Sequence, residues 1–190
     1  MKRWFLIQFF LAGLVLSAWG HVNSISYSKI TVLDNEIHVQ LRNTLLCTLE
    51  LFAVDLDGNS ILTKEELDPA KPAMFYYLNN KIKILSGGRQ LPMALKEVTF
   101  RVEEDDSYTI FDLVFPTYKK PNDWMIFFNL SEEVDSYHRN LSEITIDDKK
   151  YLFVFNNTNY FDSRNPPPPE AKSGIPPSAT ATIKSVTGGK

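Results

Sequence analysis

Cysteine is almost absent from this chain. Cys47 is the single one among 190 residues, so no disulfide can form within it. Its neighbours Leu45, Leu46, Leu49 and Leu51 mark it as a small buried hydrophobe and not as an activated thiol. Histidine is nearly as scarce: His21, His38 and His138 stand at no spacing that a local metal site uses. Neither sign of charge dominates, with 20 basic and 23 acidic residues, and this weighs against a nucleic-acid partner. No Gly-x-Ser-x-Gly, His-Glu-x-x-His or phosphate-cradling glycine loop occurs. Gly87-Gly88 reads as a hairpin turn and Glu103-Glu104-Asp105-Asp106 as a solvated turn between strands, so the expectation is a protein that is not an enzyme.

Long apolar runs are missing too, except at the start. Lys2 and Arg3 precede an almost unbroken apolar stretch from Trp4 to Leu16, and Ala18-Trp19-Gly20 offers small residues for cleavage. Residues 1–20 therefore read as a secretory signal peptide, too short for the roughly 20 residues that a spanning helix needs. The expected product is secreted or periplasmic, begins at His21, and carries 18 basic against 23 acidic residues, a formal net charge of −5.

What is present in concentrated form is oxygen chemistry over Asp55-Leu56-Asp57-Gly58-Asn59-Ser60-Ile61-Leu62-Thr63-Lys64-Glu65-Glu66. A hard cation needs six or seven oxygens at once, and an EF-hand calcium loop supplies them from positions one, three, five, seven, nine and twelve. In this frame those are Asp55, Asp57, Asn59, the Ile61 carbonyl, Thr63 through water, and Glu66. Leu62 falls where the loop turns an apolar residue inward. Position six normally needs a glycine with positive φ, yet Ser60 stands there, at a cost of roughly 1 kcal/mol, or about tenfold in affinity. The expectation is Ca2+ bound weakly, in the class of about 10⁻⁴ to 10⁻³ M that millimolar extracellular calcium still fills.

The rest of the chain is strand-like. Ile25 to Leu33 and Glu36 to Leu41 alternate around Asp34-Asn35 as a hairpin, and Thr44 can cap a short helix through Leu45 to Val54. Pro69 and Pro72 would break a long helix after Glu66, so a fresh helix is expected from Asp68-Pro69 to about Leu78. Further strands are expected over 81–85, 95–103, 107–115, 124–130, 144–147 and 151–155. The fold class is mainly β, an antiparallel immunoglobulin-like β-sandwich over 21–164, with the helix, calcium loop and helix of 44–78 as an inserted excursion. From Asn165 the composition turns to four prolines and then Gly, Ser, Thr, Ala and Lys, a disordered tail or linker over 165–190.

His21 after the leader, the alternating first hairpin, the loop running into Glu65-Glu66-Leu67, Tyr76-Tyr77-Leu78, and His138-Arg139-Asn140-Leu141 before a strand together resemble the extracytoplasmic N-terminal region of HupE/UreJ-type membrane proteins, over roughly residues 20 to 160. In that family the domain precedes a polytopic membrane part related to nickel and cobalt permeases. This chain departs from the pattern in carrying no transmembrane helix, and Leu91 stands where a cysteine often follows the Gly-Gly turn. The resemblance implies a membrane-protein partner and a bacterial source, in which Asn129-Leu130-Ser131, Asn140-Leu141-Ser142 and Asn156-Asn157-Thr158 match the glycosylation pattern by chance. It also supplies the alternative to a calcium module: a domain of a nickel, cobalt or copper uptake system. There a terminal His21 would chelate through its amine and ring, with His38 or His138 completing the set.

Overall fold

The structure, a computed structural model, describes residues 25–103 and 106–169; the leader, His21 and the chain from residue 170 lie outside them. The described chain is mainly β, with two sheets and two helices. Strands β1 (Ile25–Val32) and β2 (Glu36–Thr44) form the expected hairpin. Helices α1 (Leu45–Leu51) and α2 (Lys64–Lys81) follow, and then β3 (Ile82–Ser86), β4 (Arg89–Gln90), β5 (Ala94–Val102), β6 (Ser107–Pro116), β7 (Trp124–Phe128), β8 (Arg139–Ile146), β9 (Lys149–Phe155) and β10 (Phe161–Asp162). One sheet has the order β5-β6-β2-β1-β8-β9 and the other β10-β7-β3-β4.

Alternation sets the faces. In β1 the side chains of Ser26, Ser28, Ile30 and Val32 are buried while Tyr27 and Lys29 face out, and β2 buries Ile37, Val39, Leu41 and Asn43 in the same way. Aromatic rings join the sheets. Phe128 on β7 stacks on Phe155 of β9 at 4.8 Å between centroids, and Phe161 on β10 meets Phe153 of β9 edge-on at 5.7 Å. Each such ring contributes about 1.5 to 3 kcal/mol by leaving water. The turns are legible residue by residue: Gly87 and Gly88 at φ 55° and 75°, and Asp147 and Asp148 at 49° and 61°, have the double positive φ that matches the twist of a two-residue hairpin.

Three expectations need correction. The strand pairs are antiparallel except β1 with β8, which is parallel, because the chain leaves the large sheet after β6, adds β7 to the small one and crosses back as β8 beside β1. The strand expected from Ile144 begins at Arg139, so Arg139-Asn140-Leu141 belong to β8 itself. Most instructively, no helix starts at Pro69: α2 runs unbroken from Lys64 to Lys81 with Pro69 and Pro72 inside it. Both prolines are exposed, whereas Leu67, Met74 and Leu78 are buried on the opposite side. The carbonyls of Glu65 and Asp68, which lose their N–H partners to the prolines, can therefore turn to water on the outward side of the bend. Tertiary packing of the apolar face overrides the breakers. Pro72→Ala is accordingly expected to stabilise the protein by about 1 to 2 kcal/mol in urea unfolding, the helix gain being partly offset by a freer unfolded chain.

The fold also positions the acidic loop. Thr44 Oγ1 accepts the Cys47 N–H at 3.3 Å and Thr48 Oγ1 donates to the Thr44 carbonyl at 3.1 Å, which starts α1 directly off β2. Phe52 and Val54 on one side and Leu62 and Leu67 on the other are buried, so residues 55–61 stand out on the surface between two apolar anchors. At the far end, Ser163 Oγ accepts the Trp124 N–H at 2.9 Å, and Pro166 lines a cavity with Trp124, Ile146 and Tyr151.

Candidate metal centre

The loop is folded around its own carboxylates. Asp55 accepts the Asn59 N–H at 3.1 Å through Oδ1 and the Ser60 N–H at 3.0 Å through Oδ2, while Asp57 Oδ1 accepts the Asn59 N–H at 3.1 Å and Asp57 Oδ2 the Asn59 amide at 2.7 Å. Asn59 Oδ1 in turn accepts the Ile61 N–H at 2.6 Å. Glu66, ten residues on from Leu56, closes the loop. Its Oε1 takes the Leu56 N–H and its Oε2 takes both the N–H and the hydroxyl of Thr63, each at 2.9 Å. The second contact is half of a capping box, so one carboxylate starts α2 and ties it to the beginning of the loop.

One oxygen from each of Asp55, Asp57 and Glu66 lies within 4.8 Å of the others. An ion holding oxygens at about 2.4 Å spans about 4.8 Å between opposite ligands, so three carboxylates at this separation fit around a calcium-sized cation. Asn59 and Thr63 sit in the same turn and in contact with these groups. Hydrogen bonds from the backbone and hydroxyl of Thr63 and from the Leu56 N–H hold the Glu66 carboxyl below its usual range, favouring the ionised form a hard cation needs. Ser60 has φ 61°, the left-handed conformation that its position demands. Ser60→Gly is therefore expected to tighten calcium binding by up to about tenfold, checked by titration calorimetry on the two proteins. Equal affinity would mean that the turn carries no strain.

The two histidines among the described residues do not converge. His38 is part-exposed on β2, with Nε2 3.7 Å from Asp112 Oδ1. His138 is buried at 3% exposure, its Nε2 2.9 Å from Ser26 Oγ. Thr31, which pairs with His38, and Ser26 are five residues apart on β1, about 17 Å of strand, so His38 and His138 cannot share an ion. Burial pushes the His138 imidazole down to about 4, with Asp135 opposing and Arg139 reinforcing the shift.

His138 belongs to a buried polar network that reading the sequence did not find. Asn140 Nδ2 donates to Ser26 Oγ at 2.8 Å, and Asn140 Oδ1 lies 2.8 Å from the Ser28 hydroxyl and 2.6 Å from the Ser142 hydroxyl; these two hydroxyls also meet, and their two protons are shared over the three contacts. Its two halves, Ser26 and Ser28 on β1 and His138, Asn140 and Ser142 at β8, are more than a hundred residues apart in sequence, and the only local signal was polar residues at the inward positions of β1 and β8. Both polar side-chain atoms of Asn140, at 1% exposure, are bonded within it.

No protein-family model matches the chain, and no curated protein matches it. The likeness to HupE/UreJ-type domains rests on the residues named for it.

Proposed function

We propose that this chain is an exported calcium-binding module, binding or structural in use and without chemistry of its own. The observation that carries the reading is the convergence of the Asp55, Asp57 and Glu66 carboxylates within 4.8 Å, in the loop whose ligand spacing suits a hard cation. Asn59, the Ile61 carbonyl and Thr63 complete the set. We take the two sheets as one immunoglobulin-like sandwich and the span from Thr44 to Leu78 as its helix–loop–helix excursion. The ion then acts as a clip between the chain leaving α1 and the start of α2. A sensor role is disfavoured because the hand is single and Glu66 already spans the loop by hydrogen bonds. A membrane-protein partner is part of the same reading, through the HupE/UreJ resemblance. Isothermal titration with calcium tests it: one site with a dissociation constant of about 10⁻⁴ to 10⁻³ M is expected, and absence of heat at millimolar calcium would remove the proposal.

A further inference from the structure

On the inner face of the large sheet one cross-strand row runs through Thr109, Asn43, Ser26 and Asn140, on β6, β2, β1 and β8. All four are buried to 1% exposure or less. The β1–β8 half of the row is satisfied, since Ser26 and Asn140 bond each other and continue to His138, Ser28 and Ser142. The β6–β2 half is different. Among the described residues Asn43 Nδ2, Asn43 Oδ1 and Thr109 Oγ1 make no hydrogen bond, although the two residues are direct cross-strand partners. Three such groups side by side in a low-dielectric interior are rare in native proteins, which pair buried polar atoms almost without exception.

We propose that Asn43 and Thr109 form an internal hydration site, holding at least one water molecule beneath α1 as a fixed part of the fold. The chemistry selects the ligand. The amide offers two N–H donors and a carbonyl, and the hydroxyl acts in either sense, so the occupant must both donate and accept. It must also be small, because α1 packs directly over β2 and β6 and Thr109 is flanked on β5 by its partner Phe100. An ion is disfavoured because the groups of the site are neutral, and an apolar occupant would leave all three atoms unpaired. Water needs two to four polar partners, and the amide and hydroxyl of this cross-strand pair offer them. This inference is independent of the calcium reading.

The test uses the full chain labelled with nitrogen-15, by observing transfer of magnetisation from water to the Asn43 side-chain amide. A cross-peak with the sign of a long-lived bound water is expected in the wild type. It should persist in Thr109→Val, which removes relay through the hydroxyl and leaves the Asn43 amide in place as the reporter. A wild-type protein without that cross-peak overturns the proposal, as does a cross-peak lost in Thr109→Val alone. Should Thr109→Val fail to fold, a high-resolution crystal structure of the wild type decides. Density bridging Asn43 and Thr109 supports the site, and a direct Asn43–Thr109 hydrogen bond with no intervening density refutes it.

Discussion

In about 10 mM calcium the melting temperature is expected to rise by about 5 to 10 °C, and Glu66→Gln is expected to abolish the rise. A ligand that binds only the folded chain stabilises it by RT ln(1 + [L]/Kd), about 2.7 kcal/mol at a hundredfold excess over a dissociation constant of 10⁻⁴ M. For a domain of this size each kcal/mol moves the midpoint by about 2 to 4 °C. Glu66 is the decisive residue because it alone reaches both ends of the loop. Glutamine keeps one acceptor but cannot offer a charged bidentate pair. The same change loosens the start of α2, so the ion-free variant should melt somewhat lower; the diagnostic quantity is the shift on adding calcium. Asp106→Asn, in the turn before β6, should leave that shift intact. A wild-type midpoint unmoved by calcium would sink the idea.

Acid should weaken the fold in a window set by His138. Its folded value lies near 4 against an ordinary 6.5, because burial disfavours the imidazolium. Between these values the unfolded chain takes up a proton that the folded chain refuses. Stability is therefore undiminished by this residue above about pH 6.5 and falls as pH drops toward 4, by about 3 kcal/mol in all at 1.36 kcal/mol per unit. Glu66, whose folded value is lowered from 4.5, works in a lower window: its contribution is present above 4.5 and is lost as pH falls through its depressed value. Urea unfolding at a series of pH values separates the two. His138→Gln, which retains a side-chain partner for Ser26, should flatten the profile between pH 6.5 and 4 while leaving the steeper fall below it. An unchanged slope in the variant would assign the loss to other groups.

What the sequence made legible was whatever is settled within a dozen residues. That Asp55, Asp57 and Glu66 come together could be read because the calcium-loop frame leaves one alignment, and Ser60 at positive φ and the Thr44 cap followed from the same kind of reasoning. The hairpin at Asp34-Asn35 and the turn at Gly87-Gly88 were visible for the same reason. What failed depended on distant partners. Pro69 and Pro72 look like a boundary until Leu67, Met74 and Leu78 are seen to anchor α2 from the other side. The two-residue strands β4 and β10 carry too little pattern to stand out, since each exists only through its neighbour. Ser26, Ser28, Asn140 and Ser142 are individually unremarkable polar residues, and only the register of β1 against β8 makes them a network.

That parallel seam has a consequence in time. β1 is among the first strands made, yet it ends in the interior of the large sheet, and its partner β8 emerges more than a hundred residues later. At about 5 to 20 residues per second of synthesis, one edge of β1 waits roughly 5 to 20 s for its neighbour to exist. During that interval the β1–β2 hairpin has a bare row of N–H and C=O groups on the side where β8 will lie, open to whatever strand comes first. Closing the sheet means joining the two ends of the domain across a long loop, which makes for slow folding. Until β8 is made the large sheet stays in two pieces, and the β1 seam is the place where a strand from another copy would pair first.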